Sequence, residues 1–366
     1  MAYDSNNTRV LWVDNLKSLG IFLVIFAHHD TNKAFVQYVY SFHMPLFFFL
    51  SGYTYDASKF RNFGYFFQRK VRTLVVPYFF FAISAYLFWI TVVRFLSVEK
   101  AADRIDPLMP LIGIFYTSGT GVWLNPMATA LWFLICLFVT EIFFWFLLEK
   151  TSKLLDVRIS LLISAVVGAI AAEFLSFHPP WSIDVAFTAV VFYGVGFLAR
   201  DKITKFADWI TLGKFLLVGM PMLALGFVFN VLNGPINMHK NGLQNAAFFY
   251  VAAFCGILLF LGLSNIIPKN RVLQFIGKNT IVLLGFSGVS LYLVRSAIFA
   301  ATHSVPYLKS ISLGTAAAYT VLQIVFLVPI IFLLNRYFPF FLGRKKLKNS
   351  PPTAGGKGKD ISRNFI

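Results

Sequence analysis

Four ionisable residues near the start of the chain, Asp14, Lys17, His28 and His29, sit at spacings that suit joint chemistry. At 100° per residue on an α-helix, Lys17 and His28 fall within about 20° of one line. Asp14 lies about 40° from His28 on the other side, and His29 points about 100° away. An acid, an ammonium and an imidazole therefore share a stripe whose rise from Lys17 to His28 is about 16 Å. The imidazole is the member that exchanges protons near neutral pH. The residues between them, Leu19 to Ala27, form an apolar run fit for a membrane. Intramembrane ionisable groups are costly and usually functional, so the stripe reads as a polar pathway facing a helix bundle. The plainer reading makes Asp14 and Lys17 an i,i+3 pair at one membrane boundary and the histidines interfacial residues at the other.

Two further stretches weigh toward the first reading. "YSFHMPLFFFLSGY" places His43 and Pro45 in a second apolar segment. Pro45 removes an amide donor and frees the carbonyl near Ser41, which is tolerable in lipid only where something else satisfies it. "FFQRKVRTLVVP" then gathers Arg69, Lys70 and Arg72 at the mouth of a third segment. Cations packed this closely favour an anion, although positive-inside anchoring explains any one of them.

The elements that must position these residues follow from composition. The chain has 366 residues, 58% hydrophobic, 18% aromatic and 13% charged, with a mean hydropathy of +0.72. Soluble domains carry about 25% charged residues, so most of this chain has lipid as its solvent. Spans of about 20 apolar residues are needed to cross hydrocarbon. Ten are expected, at roughly 11–29, 37–55, 74–96, 129–148, 159–176, 183–199, 212–232, 244–265, 280–300 and 311–335. With the N-terminus in the cytoplasm, 24 of the 32 Lys and Arg fall in inside segments and five (Lys33, Lys100, Arg104, Lys240, Lys309) outside. That asymmetry predicts an all-α integral membrane protein of about ten transmembrane helices with both termini cytoplasmic. Residues 1–343 form the helical domain, and 344–366 read as a basic, disordered cytoplasmic tail near anionic headgroups.

Several classes drop out. The net charge of +17 is a topology signal spread over short loops, with no basic domain interleaved with aromatics, so nucleic acid is not an expected partner. Cys136 and Cys255 both fall in expected spans, which supports neither a disulfide framework nor a thiolate metal site. His178, His239 and His303 lie scattered over outside loops and read as surface residues, so no metal or prosthetic group is expected. Glu141, inside a span, requires a partner.

Taken together, the motifs carry a resemblance. Asp14-x-Leu16-Lys17, Lys17-x10-His28, "FHMPLFFFLSGY" and Arg69-x-x-Arg72 before Pro77 resemble the acyltransferase 3 family of membrane acyltransferases. The branch they look most like is the fucose 4-O-acetylase-like, exopolysaccharide (xanthan-type) acetylases. "LWFLICLF" (Leu131 to Phe138) and "FIGKNTIVLL" (Phe275 to Leu284) are similar to later segments of that branch. The resemblance implies a multi-pass enzyme of the bacterial inner membrane. It would move an acetyl group from cytosolic acetyl-CoA to a hydroxyl of an exopolysaccharide or its lipid-linked oligosaccharide precursor. Acetyl-CoA is then the acyl donor, and the partners are the bilayer and the glycan.

The implied site has His28 as general base in direct transfer. A histidine nucleophile with an acetyl-imidazole intermediate is the rival mechanism. Asp14, Lys17, His29 and His43 support the site, and Arg69, Lys70 and Arg72 bind the CoA phosphates. Similar sequences often carry a histidine about ten residues after the glycine of G-x-N-[ST]. Counting from Gly277 reaches Ser287 here. The alternative function is a secondary transporter or flippase for a glycolipid or organic anion, using the stripe as its pathway.

Overall fold

The computed structural model describes residues 10–96, 105–117, 125, 127–151, 154–175, 177–268, 270–303 and 310–344. Helix makes up 84% of the structure, with no strands among the described residues. In chain order the helices are α1 (Leu11–Phe26), α2 (Lys33–Thr54), α3 (Phe63–Leu96), α4 (Leu108–Tyr116), α5 (Trp132–Lys150) and α6 (Leu154–Phe174). They continue with α7 (Ile183–Leu198), α8 (Arg200–Trp209), α9 (Leu212–Asn233), α10 (Ala246–Ile266), α11 (Arg271–Lys278), α12 (Thr280–Gly285), α13 (Ser287–Thr302) and α14 (Leu313–Tyr337).

Polar side chains mark where several helices begin. The side-chain oxygens of Asn32, Asn62, Asn245, Asn270 and Ser312 each accept a hydrogen bond from a backbone N–H in the first turn that follows. Each satisfies a donor that the helix itself leaves unpaired.

Among the described residues, seven helices are long and apolar enough to cross a membrane: α3, α5, α6, α7 counted with the helical turn Pro180–Ser182 that leads into it, α9, α10 and α14. Three expected spans fall short. α1 stops at Phe26 after 16 residues, α13 has 16 residues, and α2 carries Gln37, Ser41, His43 and Ser51 along its 22. For α1 and α2 the physical reason is position. α1 packs against α2, α10, α11, α12 and α14, while α2 packs against α1, α7, α9 and α10. A helix walled in by other helices need not be apolar all round.

The third expected span also starts early. Its helix runs unbroken from Phe63 through two π-helical turns, Val71–Val75 and Trp89–Val93, so Arg69, Lys70 and Arg72 sit on helix instead of in a loop.

Close backbone contact locks the centre. Gly52 of α2 lies against the Tyr193 carbonyl of α7, and Gly196 of α7 lies against the Phe49 carbonyl of α2. A Cβ at either position would overlap that oxygen, so the seam needs glycine on both sides. Gly277, in the "IGKNT" stretch, meets the Asp14 backbone carbonyl of α1 in the same way.

Candidate active site

α1 tightens as it ends. The N–H groups of His28 and His29 bond to the carbonyls three residues back, Ile25 at 3.2 Å and Phe26 at 3.0 Å. This last turn aims the two histidines at different neighbours.

His28 faces α2 across a chamber of about 270 Å³. Val24 and His28 form one wall, and Tyr40, His43 and Met44 of α2 form another. Thr129, Ala130, Trp132 and the Asn237–Lys240 turn complete it. The Nδ1 atoms of His28 and His43 lie 2.7 Å from the carbonyl oxygens of Val24 and Val39, each four residues back on its own helix. A carbonyl only accepts, so each Nδ1 carries the hydrogen. In the neutral ring Nε2 then keeps its lone pair. The chamber thus holds two imidazoles in the tautomer that accepts a proton at Nε2. The Tyr40 ring meets His43 edge to face, centroids 5.1 Å apart, and restricts its rotation.

His29 is directed elsewhere. It is buried, bonded through Nε2 to the Gln323 amide of α14 at 2.9 Å, with Tyr319 against its ring. Gln323 in turn bonds Ser290 of α13 at 3.2 Å. Ser287, at the position where similar sequences often have histidine, bonds the Leu284 carbonyl and does not line the chamber. The Arg295 charge on α13 bears on both His28 and His29.

Asp14 and Lys17 lie on α1 below the chamber and do not line it. Asp14 is buried where α1 meets Gly277. Beside it, Ser18 bonds the Leu273 carbonyl, and Asn15 donates to the Ser264 carbonyl at 3.2 Å. Lys17 is half-buried.

The basic helix differs from its expected role. Lys70 Nζ lies 2.7 Å from Glu141 Oε1 on α5, with the Tyr193 hydroxyl 3.4 Å from the same oxygen. Its charge is neutralised, so it is not an open phosphate ligand, and it supplies the partner that Glu141 needed. Arg69 lies over the Phe60 ring. Arg72 lies over Phe340 and donates to the Arg344 carbonyl at 3.2 Å.

Arg344, expected to open a disordered tail, is tied to the body instead. Its guanidinium bonds Asn335, the Asn279 side chain and, at 2.6 Å, the Lys278 carbonyl. Residues 345–366 of the expected tail lie outside the described residues.

One chamber residue, His239, and a second histidine outside the chamber, His178, escaped the sequence reading. His239, taken for a surface residue, is half-buried and stacks on Trp132 with centroids 5.1 Å apart and planes 12° from parallel. His178, likewise taken for surface, is half-buried 3.4 Å from Asp184. The available signal was the turn-rich run "NGPINMHKNG", whose density of Gly, Pro and Asn marks a built loop. Among the described residues no group of three or more His, Cys, Asp or Glu is placed to hold a metal ion.

A family model described as an acyltransferase domain matches residues 10–340. No curated protein and no solved structure matches the chain. The matched stretch runs from the residue before α1 to the turn beyond α14. It takes in His28, His43 and His239, the basic helix and the turn between α9 and α10, so the chain belongs to the acyltransferase 3 family and is a multi-pass membrane acyltransferase.

Proposed function

We propose that the protein transfers an acetyl group from acetyl-CoA to a sugar hydroxyl of an exopolysaccharide or its lipid-linked precursor. The carrying observation is the pinned tautomer of His28, a residue that lines a chamber of about 270 Å³ and keeps the Nε2 lone pair available. The acceptor hydroxyl gives its proton to His28 Nε2 as its oxygen attacks the thioester carbonyl. The carbon–sulfur bond breaks, and the CoA thiolate leaves with the proton His28 took. His43 Nε2, on the facing wall, supports the hydroxyl or the leaving group. Arg69 and Arg72 receive the CoA phosphates at the cytosolic end, with Lys70 holding their helix against α5. Ten spans fit this arrangement: α1, α2 and α13 join the seven more apolar helices, both termini face the cytoplasm of a bacterial inner membrane, and CoA enters from there.

The test is release of free CoA by the purified protein in lipid nanodiscs, given acetyl-CoA and a lipid-linked oligosaccharide. The native protein acetylates the glycan, and His28→Ala loses on the order of 10³-fold in turnover. A variant that acetylates at the native rate overturns the assignment. Exchange of label between acetyl-CoA and CoA without acceptor would mark a covalent acetyl-histidine in place of direct transfer.

A further inference from the structure

The turn between α9 and α10 is built with more care than a connection needs. Asn237 and Gly242 exchange backbone hydrogen bonds of 2.9 Å in both directions, closing the turn on itself. Asn233 clamps its base, donating to the Leu243 carbonyl at 3.0 Å and accepting from the Asn245 N–H at 2.9 Å. Ile236, Met238 and Leu243 are buried beneath it. With its apolar residues held down, the turn presents Asn237, His239 and Lys240 to the chamber that contains His28 and His43.

The chemistry of that wall is one-sided. Among the described residues no carboxylate lines the chamber, whereas three histidines and a lysine do. Burial, with smaller contributions from His178 and Lys240, holds the His239 imidazole down to about 4, so it is neutral near pH 7. It therefore offers a flat ring and hydrogen bonds, and the formal charge at the mouth belongs to Lys240. The stacked Trp132–His239 pair adds aromatic rings to the chamber wall, of the kind that orient a ring in a mostly apolar pocket. In a cleft of low dielectric, a cation with no lining acid favours an anionic guest.

We propose that Asn237, His239 and Lys240, together with Trp132, form the acceptor subsite, and that it takes a sugar carrying an anionic group. The subsite rests on the acyl-transfer reading for its role, though not for its ligand. A flat sugar ring lies along the stacked pair with its hydroxyl toward His28, and its anionic group meets Lys240 at the mouth. The anion is either a carboxylate on the sugar or the phosphate of a lipid linkage.

Binding separates the subsite from catalysis. The native protein in nanodiscs, without acetyl-CoA, is titrated with methyl glucoside, methyl glucuronide and polyprenyl-diphosphate-linked glucose, read by tryptophan fluorescence. At least one anionic probe binds tenfold or more tightly than the neutral glucoside. Preference for the glucuronide alone identifies a sugar carboxylate, and preference for the diphosphate alone identifies the linkage. Lys240→Gln, a change at an exposed position, reduces the preference to less than threefold, and Trp132→Leu weakens all three probes about tenfold. The proposal is overturned if no probe binds, if the glucoside binds as well as both anionic probes, or if Lys240→Gln leaves the preference intact. If the probes bind as expected and no glycan is ever acetylated, the acyl-transfer reading fails while the subsite stands.

Discussion

On the chamber wall, Nδ1 of His28 and of His43 is held by the backbone of its own helix, which leaves Nε2 as the nitrogen able to accept a proton. At the basic start of α3, by contrast, charges are held by groups distant in the chain: Lys70 by Glu141, and Arg72 and Arg344 by one another's surroundings. About 14 Å of α5 separates Trp132, on the chamber wall, from Glu141, in the ion pair. A local backbone tether fixes a side chain's tautomer and direction without consuming its reactive atom. A long-range ion pair consumes the charge to join two helices. The first suits a group that must react, and the second suits a group that must hold.

That contrast can be broken experimentally. The largest effect should fall on chemistry: His28→Ala loses on the order of 10³-fold in turnover, whereas His29→Ala, altering a residue outside the chamber, stays within tenfold of native. A fall as large for His29 would erase the distinction between the two. Next comes stability. Glu141→Ala takes the carboxylate partner from a half-buried Lys70, at a cost below the about 3–5 kcal/mol of breaking a fully buried pair, read as a lower unfolding midpoint in detergent. A Lys70→Met, Glu141→Leu double variant should recover most of that loss, since apolar replacement of both partners removes the stranded charge.

Gly52→Ala forces α2 away from α7 and costs about 1–3 kcal/mol, the range for overpacking. Because α2 also carries His43, turnover should fall with it. A stable and fully active Gly52→Ala would show that the seam does not set the chamber.

The smallest effect concerns pH. His239 in the folded protein protonates only near pH 4, whereas an unfolded histidine does so near 6.5. Between those values the unfolded chain binds more protons, so its contribution is complete above pH 6.5 and is lost as pH falls toward 4. His239→Gln should flatten the fall in unfolding midpoint over that window. An identical slope in both proteins would argue that His239 is open to solvent.

Much of the fold was legible because lipid imposes a coarse rule: long apolar runs become helices, and Asn or Ser before a run caps one. The Lys17–His28 spacing and the rotation of His29 off the stripe follow from helix geometry over a few turns. What the sequence did not show lies between distant segments. Glu141 inside a span announced the need for a partner, yet only tertiary packing selects Lys70, 71 residues away. Nothing local tells that His239 stacks on Trp132, or that Arg344 reaches back to Asn279. That α1 and α2 are walled in by other helices was not legible either, because periodicity does not report which helices others enclose.

The length of α3 has a consequence for the surrounding bilayer. Its 34 residues extend about 51 Å, against a hydrocarbon thickness of about 30 Å. The surplus lies at the Phe63 end, where exposed Phe63, Tyr65 and Phe67 precede Arg69, an aromatic and basic makeup suited to headgroups. The wide turn at Val71–Val75 is where an interfacial segment and a spanning segment of one continuous helix meet. Lipid thickness therefore bears on the tilt of this helix, while the Lys70–Glu141 pair keeps its basic end joined to α5.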